Sequence, residues 1–373
     1  MLIIHKIINF ILNLIYELPY KKNLILFQSH DLYSYNDNSK YLYEYLSKKK
    51  YQCIWITRSE SLISYLNNKK FKYFKFDKNI FNIVFLLLRT KIIFDSGTSF
   101  FSPLDLNIYK ITKINIGHGV GPKINFHDTG SNKKNIINIV KLNQFNFFNF
   151  TSNYSKVHLS KSQNIFGSKK IVLGYPRLDI SVNKDNLLNS LSSFNSIIVY
   201  TPTWRSYKSD LPIKYLKNFE FKKFNSFLIK NNFCFVYSIH PQFQFIKEES
   251  LNAYSNLINF EKIKNFEIDI NHLLKYCSLL INDYSTTSTD AAVYGIPQIY
   301  LYSDYERFIE SNGFVEDYKS INPGPEVKDY DQFIKFIMTY IKNPNIYFEG
   351  NKLKIEQYLN HYYDFHLQHY MLK

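Results

Sequence analysis

Two stretches bring together residue types that can handle protons and phosphate. The first is Gly117-His118-Gly119-Val120-Gly121-Pro122-Lys123, directly after the apolar run Lys113–Ile116. Glycines on both sides let the backbone approach a ligand closely, and an imidazole titrates near neutral pH. His118 is therefore a candidate for proton transfer. A lone histidine is more often structural, but one set between glycines at the end of a strand is well placed for chemistry. The second stretch is Leu279–Tyr302. Leu279–Ile281 has the length of a buried strand, and Asn282 and Asp283 end it. Ser285, Thr286 and Thr287 supply hydroxyls where a helix should begin. Thr289–Tyr294 reads as that helix, Gly295 and Pro297 close it, and Gln298–Tyr302 is the next strand. This is one βαβ unit. Free N–H groups at a helix start, flanked by hydroxyls, can seat a phosphate. The same hydroxyls also serve as ordinary helix caps.

The rest of the chain has to position these residues. Strand candidates at Leu24–Gln28, Gln52–Thr57, Phe71–Phe76, Lys91–Phe94 and Lys113–Ile116 alternate with helical patterns at Asn38–Lys48, Ser59–Leu66 and Asn79–Arg89. That alternation predicts a parallel sheet with helices on both faces. Further strands are expected at Phe148–Ser152 and Ile171–Leu173, the latter running into Gly174-Tyr175-Pro176-Arg177-Leu178-Asp179. Asp185–Asn195 is polar and rich in Ser and Asn, as an interdomain linker would be. The pattern then restarts with Ile197–Tyr200, helix Phe219–Lys230 and Phe233–Ser238. Three strands of this half end in polar turns: Thr201-Pro202-Thr203-Trp204-Arg205, His240-Pro241 and Asp283-Tyr284-Ser285-Thr286. In a parallel sheet such ends share one edge, so these motifs can converge on one crevice. Tyr330–Ile341 and Lys352–Tyr362 read as closing helices.

The chain has 373 residues, enough for two domains with sizeable cores, and 45% of them are hydrophobic, which excludes disorder. The net charge of +15 is spread along the chain rather than gathered in one block. It fits an anionic membrane face or an anionic substrate. No zinc-finger spacing, RNA-binding signature or basic helix with heptads is present, so no nucleic acid partner is expected. Cys53, Cys234 and Cys277 are few and set in apolar contexts, which suits a reducing compartment and predicts neither disulfides nor a metal pair. In Met1–Tyr20, His5, Asn9, Asn13 and Glu17 recur every fourth residue and interrupt what would otherwise be an apolar helix. A spanning helix needs about 20 nearly uncharged residues. The segment reads instead as an amphipathic helix, either lying on a membrane with Lys21 and Lys22 near anionic headgroups or packed on the protein.

Six fragments, in order, make the chain similar to a known family. They are His118-Gly119 after a strand, Gly174–Asp179, Tyr200–Arg205, His240-Pro241, Asn282-Asp283-Tyr284-Ser285-Thr286 and Pro323-Gly324-Pro325. Together they resemble the CDP-glycerol glycerophosphotransferases, the polymerases and primases of teichoic acids and related phosphodiester capsules. Two departures stand out: Val120-Gly121-Pro122-Lys123 replaces a common Thr-Pro-Leu-Lys, and Thr286 replaces a serine while keeping a hydroxyl.

The resemblance implies a GT-B fold, two Rossmann-like domains with parallel sheets facing across a cleft. The expected parts are an amphipathic helix over 1–22, an acceptor domain over 23–185, a donor domain over 186–345 and a C-terminal segment, 346–373, packing back on the first domain. The implied reaction moves glycerol phosphate, or a related polyol phosphate, from a CDP-polyol such as CDP-glycerol to a hydroxyl of a lipid-linked or polysaccharide acceptor. CMP is released, at the cytoplasmic face of the membrane. By matching position, His118 is the base and His240 contacts the phosphate. Ser285 and Thr286 hold the diphosphate, with Thr203 on the same sheet edge, and Asp283 orients its neighbours. Gly119 and Lys123 fall on the acceptor side. Arg205 is either a further phosphate ligand or the partner of a carboxylate, and Trp204 is expected in the core. No carboxylate pair of metal-site character appears, so neither metal nor cofactor is expected. The competing readings are a GT-B glycosyltransferase using a nucleotide sugar, and a non-enzymatic assembly protein on the same fold.

Overall fold

The computed structural model describes residues 2–18, 22–29, 31–77, 79–97, 108, 110–121, 142–162, 164–179, 191–205, 207, 210–239, 251, 253–314 and 316–364. They form two compact units. The first is built on seven parallel strands: β1 (Leu24–Gln28), β2 (Cys53–Thr57), β3 (Tyr73–Lys75), β4 (Thr90–Asp95), β5 (Thr112–Asn115), β6 (Phe147–Phe150) and β7 (Lys169–Val172). Their order is β3-β2-β1-β4-β5-β6-β7, the winding of a Rossmann-like sheet. Helices α1 (Leu2–Tyr16), α2 (Asp37–Lys48), α3 (Glu60–Asn68) and α4 (Ile80–Leu88) belong to this unit. α3 and α4 begin where expected because Ser59 and Asn79 accept backbone N–H bonds as N-caps. The core gathers Leu24, Leu26, Ile56 and Ile93 from the strands with Ile83, Leu86 and Leu87 of α4.

The second unit has five parallel strands: β8 (Ser196–Tyr200), β9 (Phe233–Tyr237), β10 (Leu257–Asn259), β11 (Leu279–Asn282) and β12 (Gln298–Tyr300). Their order, β10-β9-β8-β11-β12, repeats the first five positions of the other sheet. Every residue of β8, β9, β11 and β12 is buried, which explains their continuous apolar runs: both faces of the sheet are covered. Ile198, Tyr200, Phe235, Leu279 and Ile281 face one core with Phe224 and Phe333. Ile197, Val199, Cys234, Val236 and Leu280 face the other with Leu273 and Ala291. The covering helices include α6 (Phe221–Asn231), α7 (Ile270–Tyr276), α8 (Thr287–Val293), α9 (Tyr305–Ser311), α10 (Tyr318–Ile321), α11 (Tyr330–Lys342) and α12 (Pro344–Tyr362).

The sequence reading missed α5 (Asn153–Ser162), which follows β6 in the chain yet groups with the second unit, as do Gly119–Gly121. Asn-Tyr-Ser-Lys-Val-His-Leu-Ser-Lys-Ser has no apolar stripe that would announce a helix. α12 runs eight residues further toward the N-terminus than the pattern suggested, because Asn343 caps it and Pro344 opens it. Its end docks on α5: the Tyr154 ring stacks on His361 at 4.2 Å, and the Tyr154 and Tyr362 hydroxyls both donate to Glu316. The boundary expected at 185/186 lies outside the described residues.

α1 is packed on the protein through one side. Leu12 and Tyr16 join the first core, and the Tyr16 hydroxyl donates to the carbonyl of Thr90 at 2.7 Å. Phe10, Ile11, Leu14 and Leu18 remain exposed, as do Phe81 and Phe85 on α4. No described helix is long and apolar enough to cross a membrane. The three cysteines are buried, and burial pushes the thiols of Cys234 and Cys277 up to about 12, so neither supplies a thiolate.

Phe333 is fully buried against the rings of Phe219 and Phe224. Phe333→Ala is expected to lower the unfolding free energy by about 3–5 kcal/mol in urea titrations. Leu353→Ala, at an 80% exposed position, should change it by less than about 0.5 kcal/mol.

Candidate functional site

In the second unit the polar residues collect where β8, β11 and β12 end. The guanidinium of Arg205 is the hub. Its Nη1 donates to Asp283 Oδ2 at 2.5 Å and to the Thr203 carbonyl at 2.5 Å. Its Nε and Nη2 donate to the two oxygens of Asp304 at 2.8 and 2.9 Å. Arg205 and Asp283 are buried, and the Tyr284 ring lies 4.9 Å below the guanidinium. Asp283 also accepts from the Thr203 N–H, the Thr203 hydroxyl and the Tyr284 N–H, at 2.5 to 3.0 Å. Asp304 takes two more bonds, from the hydroxyls of Tyr207 and Tyr284. One cation and two carboxylates leave a net negative charge in a closed place. It is tolerable because every carboxylate oxygen has donors. Burial alone would raise the Asp304 carboxyl, but the Arg205 hydrogen bonds and charge outweigh it and hold Asp304 below the usual carboxylate range.

Beside this network lies a chain of hydroxyls. Thr201 and Thr287 meet at 2.6 Å, and Thr287 donates to Ser285 at 3.0 Å. Thr201 stands at the end of β8 and the other two at the start of α8, so the expected strand-to-helix turn brings three hydroxyls together. Thr286 points elsewhere. It makes no capping bond, and its Oγ1 sits 2.9 Å from where a Cβ on Gly119 would be. The Thr289 hydroxyl lies 2.7 Å from the Val120 carbonyl. The glycines of the first motif thus admit Thr286: at both Gly119 and Gly121 a side chain would press on it.

In the first unit His118 follows β5 and is exposed, while its backbone is fastened. Gly117 has φ +72°, a left-handed conformation that favours glycine, and the Tyr175 hydroxyl lies 2.6 Å from its would-be Cβ. The Gly117 N–H donates to Asn115 Oδ1 at 2.8 Å, and Asn38 Nδ2 donates to the Gly117 carbonyl at 2.8 Å. Nη1 of Arg177 donates to the His118 carbonyl at 2.7 Å and to Asp37 Oδ1 at 2.6 Å. The Gly174–Asp179 motif is therefore a brace: Tyr175 underlies Gly117, and Arg177 grips His118.

Of the residues singled out from sequence, Thr203, Arg205, Asp283 and Ser285 come together in the second unit. His118 stands in the first, and Gly119 lies against Thr286. Arg205 is ion-paired with Asp283 and Asp304 inside the second unit, and Asp283 accepts from Thr203 and Tyr284. Trp204 is only partly buried, not a core residue, because it sits on the turn beyond β8. His240 and Lys123 lie outside the described residues. Thr201 and Thr287 were legible as hydroxyls within the quoted motifs. Asp304, 99 positions from Arg205, carried no local signal, and neither did Asp37 and Asn38. Among the described residues no group of three His, Cys, Asp or Glu is placed to hold a metal ion.

Two Rossmann-like parallel α/β units with polar loops at their strand ends define the GT-B class. The chain belongs to the CDP-glycerol:poly(glycerophosphate) glycerophosphotransferase family, whose sequence model matches residues 10–365. It is 25% identical to the teichoic acid glycerol-phosphate transferase of Staphylococcus aureus, over 92% of this chain and 90% of that protein. It is 26% identical to the teichoic acid ribitol-phosphate polymerase TarL of the same species over 54% of this chain, but spans only 37% of that protein's length. The fold is shared with the wall teichoic acid polymerase TagF, with a TM-score of 0.70 at 20% identity, covering 97% of this chain and 90% of that one. A variant of that polymerase was soaked with CDPG.

Replacing Arg205 with Met should destabilise the protein by about 3–5 kcal/mol at pH 7, since two carboxylates lose their cation. In the wild type the depressed Asp304 carboxyl contributes stability above its unfolded pKa, and this is lost as pH falls through the lower folded value. In Arg205→Met burial dominates and the folded value rises, so the sign reverses. The deficit of the variant should be greatest at neutral pH and shrink toward pH 4, measured as thermal unfolding across that range.

Proposed function

We propose that this protein transfers glycerol phosphate, or a related polyol phosphate, from a CDP-polyol to an acceptor hydroxyl, in the synthesis of a teichoic acid-like or capsular polymer. The observation that carries the reading is the hydroxyl chain Thr201–Thr287–Ser285 at adjoining strand ends, in a member of this family. Hydroxyls and strand-end backbone N–H groups suit an anionic diphosphate. The acceptor oxygen attacks the β-phosphorus, the bond from that phosphorus to the bridging oxygen breaks, and CMP leaves with the bridging oxygen. His118 takes the acceptor proton, and His240 stabilises the departing phosphate. Ser285, Thr287, Thr201 and Thr203 hold the donor. Arg205 and Asp283 act by fixing the Thr203 turn, and Thr286 fits the backbone of Gly119. Gly119 and Lys123 lie toward the acceptor.

The acceptor of such a polymer is lipid-linked, and α1 fits a membrane surface. Phe10, Leu14 and Leu18, with Phe81 and Phe85 of α4, offer apolar side chains beside Lys22 and Arg89. Lys22 and Arg89 lie over the rings of Tyr16 and Phe85. The protein then works at the cytoplasmic face as a peripheral enzyme.

Purified protein incubated with CDP-glycerol, CDP-ribitol and nucleotide sugars, each with a polyol-phosphate-primed lipid, should release CMP from a CDP-polyol only. His118→Ala and His240→Ala should each lower the rate at least about 100-fold. Turnover confined to a nucleotide sugar points to the glycosyltransferase reading, and full activity in both variants removes these histidines from the chemistry. In flotation with phosphatidylglycerol vesicles, the double change Phe10→Ser/Phe81→Ser should weaken binding at least about tenfold. Unchanged binding would assign the exposed face another role.

A further inference from the structure

The Gly174–Asp179 motif does more than end a strand. Arg177 is almost wholly buried, at 3% exposure, so its charge needs a partner, and Asp37 supplies one at 2.6 Å. Asp37 opens α2 in a left-handed conformation, φ +61°, which acidic and amide side chains tolerate better than most. Its neighbour Asn38, fully buried, spans two segments: its Oδ1 accepts from the Arg177 N–H at 3.2 Å, and its Nδ2 donates to the Gly117 carbonyl. The guanidinium also lies 4.7 Å over the Tyr175 ring, which itself fills the space beside Gly117. Three chain segments thus meet at one peptide: the start of α2, the end of β5 and the turn after β7.

We propose that Arg177, anchored by Asp37, is a positioning residue that sets the backbone of His118 and hence where its imidazole stands. The proposal rests on the reading of His118 as the base. A neutral amide between these carbonyls would also make hydrogen bonds. Arginine is distinctive because its charge strengthens both bonds of Nη1, one to a carboxylate and one to a carbonyl, while its planar group lies over the Tyr175 ring. Gly117 N, Gly117 O and His118 O are each bonded to a side chain of the same unit: Asn115, Asn38 and Arg177. These bonds fix the backbone of an exposed residue beyond β5, and general-base catalysis requires such placement.

The test uses the full chain, with CMP release from CDP-glycerol onto a glycerol-phosphate-primed lipid. Arg177→Met should lower kcat by about 100-fold while the KM for CDP-glycerol stays within about twofold, because donor contacts are untouched. Arg177→Lys keeps the charge but not the fork and should fall between, at about tenfold. In the His118→Ala background, Arg177→Met should cost less than about threefold more, since its effect passes through His118. An equal further loss in that background, or a loss confined to KM, would overturn the proposal. A second readout is independent of turnover: the His118 ring resonance in a histidine-labelled NMR spectrum, assigned by its disappearance in His118→Ala. It should move in Arg177→Met, and in Asp37→Asn should the first variant not fold. A stationary resonance also overturns the proposal. If His118→Ala is fully active, the base reading fails, while the resonance still reports whether Arg177 sets the surroundings of residue 118.

Discussion

The second unit depends on one buried cation. β8, β11 and β12 end side by side, and the turns that follow them carry Arg205, Asp283 and Asp304. Without the guanidinium, two carboxylates would be left together in a closed site, and at least one would have to take up a proton or move out. With it, the three turns become a single body. Asp283 still accepts from Thr203 at both oxygens, and the Tyr284 ring lies against Phe308 at 4.2 Å with the guanidinium close to both rings. The aromatic layer of Tyr302, Phe314 and Tyr318 continues from there. The hydroxyls of Thr201, Ser285 and Thr287 are arranged by this scaffold and stand outside its ion pairs.

The first unit repeats the device with different residues. Arg177 pairs with Asp37, lies over a tyrosine ring and reaches a carbonyl of the loop bearing His118. In both units a buried arginine joins loops that the parallel sheet brings to one edge but does not itself connect. This answers a general difficulty of such folds. Strand ladders fix the strands, yet chemistry sits on the loops beyond them, where backbone hydrogen bonds run out. A planar guanidinium with several donors can satisfy carboxylate and carbonyl acceptors from separate segments at once.

Much of this was legible in the chain. β1, β8, β9, β11 and β12 are buried throughout and read as continuous apolar runs. Of the twelve described strands only the three-residue β10 escaped the sequence pattern. The polar turns after β8 and β11 were equally visible, which is why Thr203, Asp283 and Ser285 could be named. Partners were not visible, because they depend on which loops adjoin in space. Arg205 alone gives no sign of whether it meets a phosphate or a carboxylate, and its neighbour Asp304 lies 99 positions further on, after β12. α5 was missed because its fixing contacts are stacked rings and carboxylate bonds at the far end of α12, not an apolar stripe. The function was expected from motif order, and two of those motifs, Gly174–Asp179 and Tyr200–Arg205, contain the arginines that brace neighbouring loops.

The central claim is that the donor is cleaved at its diphosphate and that its polyol phosphate passes to a hydroxyl. The most direct measurement is 31P NMR of a complete reaction with CDP-glycerol and a glycerol-phosphate-primed lipid. The account predicts that the diphosphate signals disappear while CMP and a new phosphodiester grow in equal amounts. Release of CDP with no new phosphodiester, or CMP appearing beside free glycerol phosphate in the presence of acceptor, would contradict it.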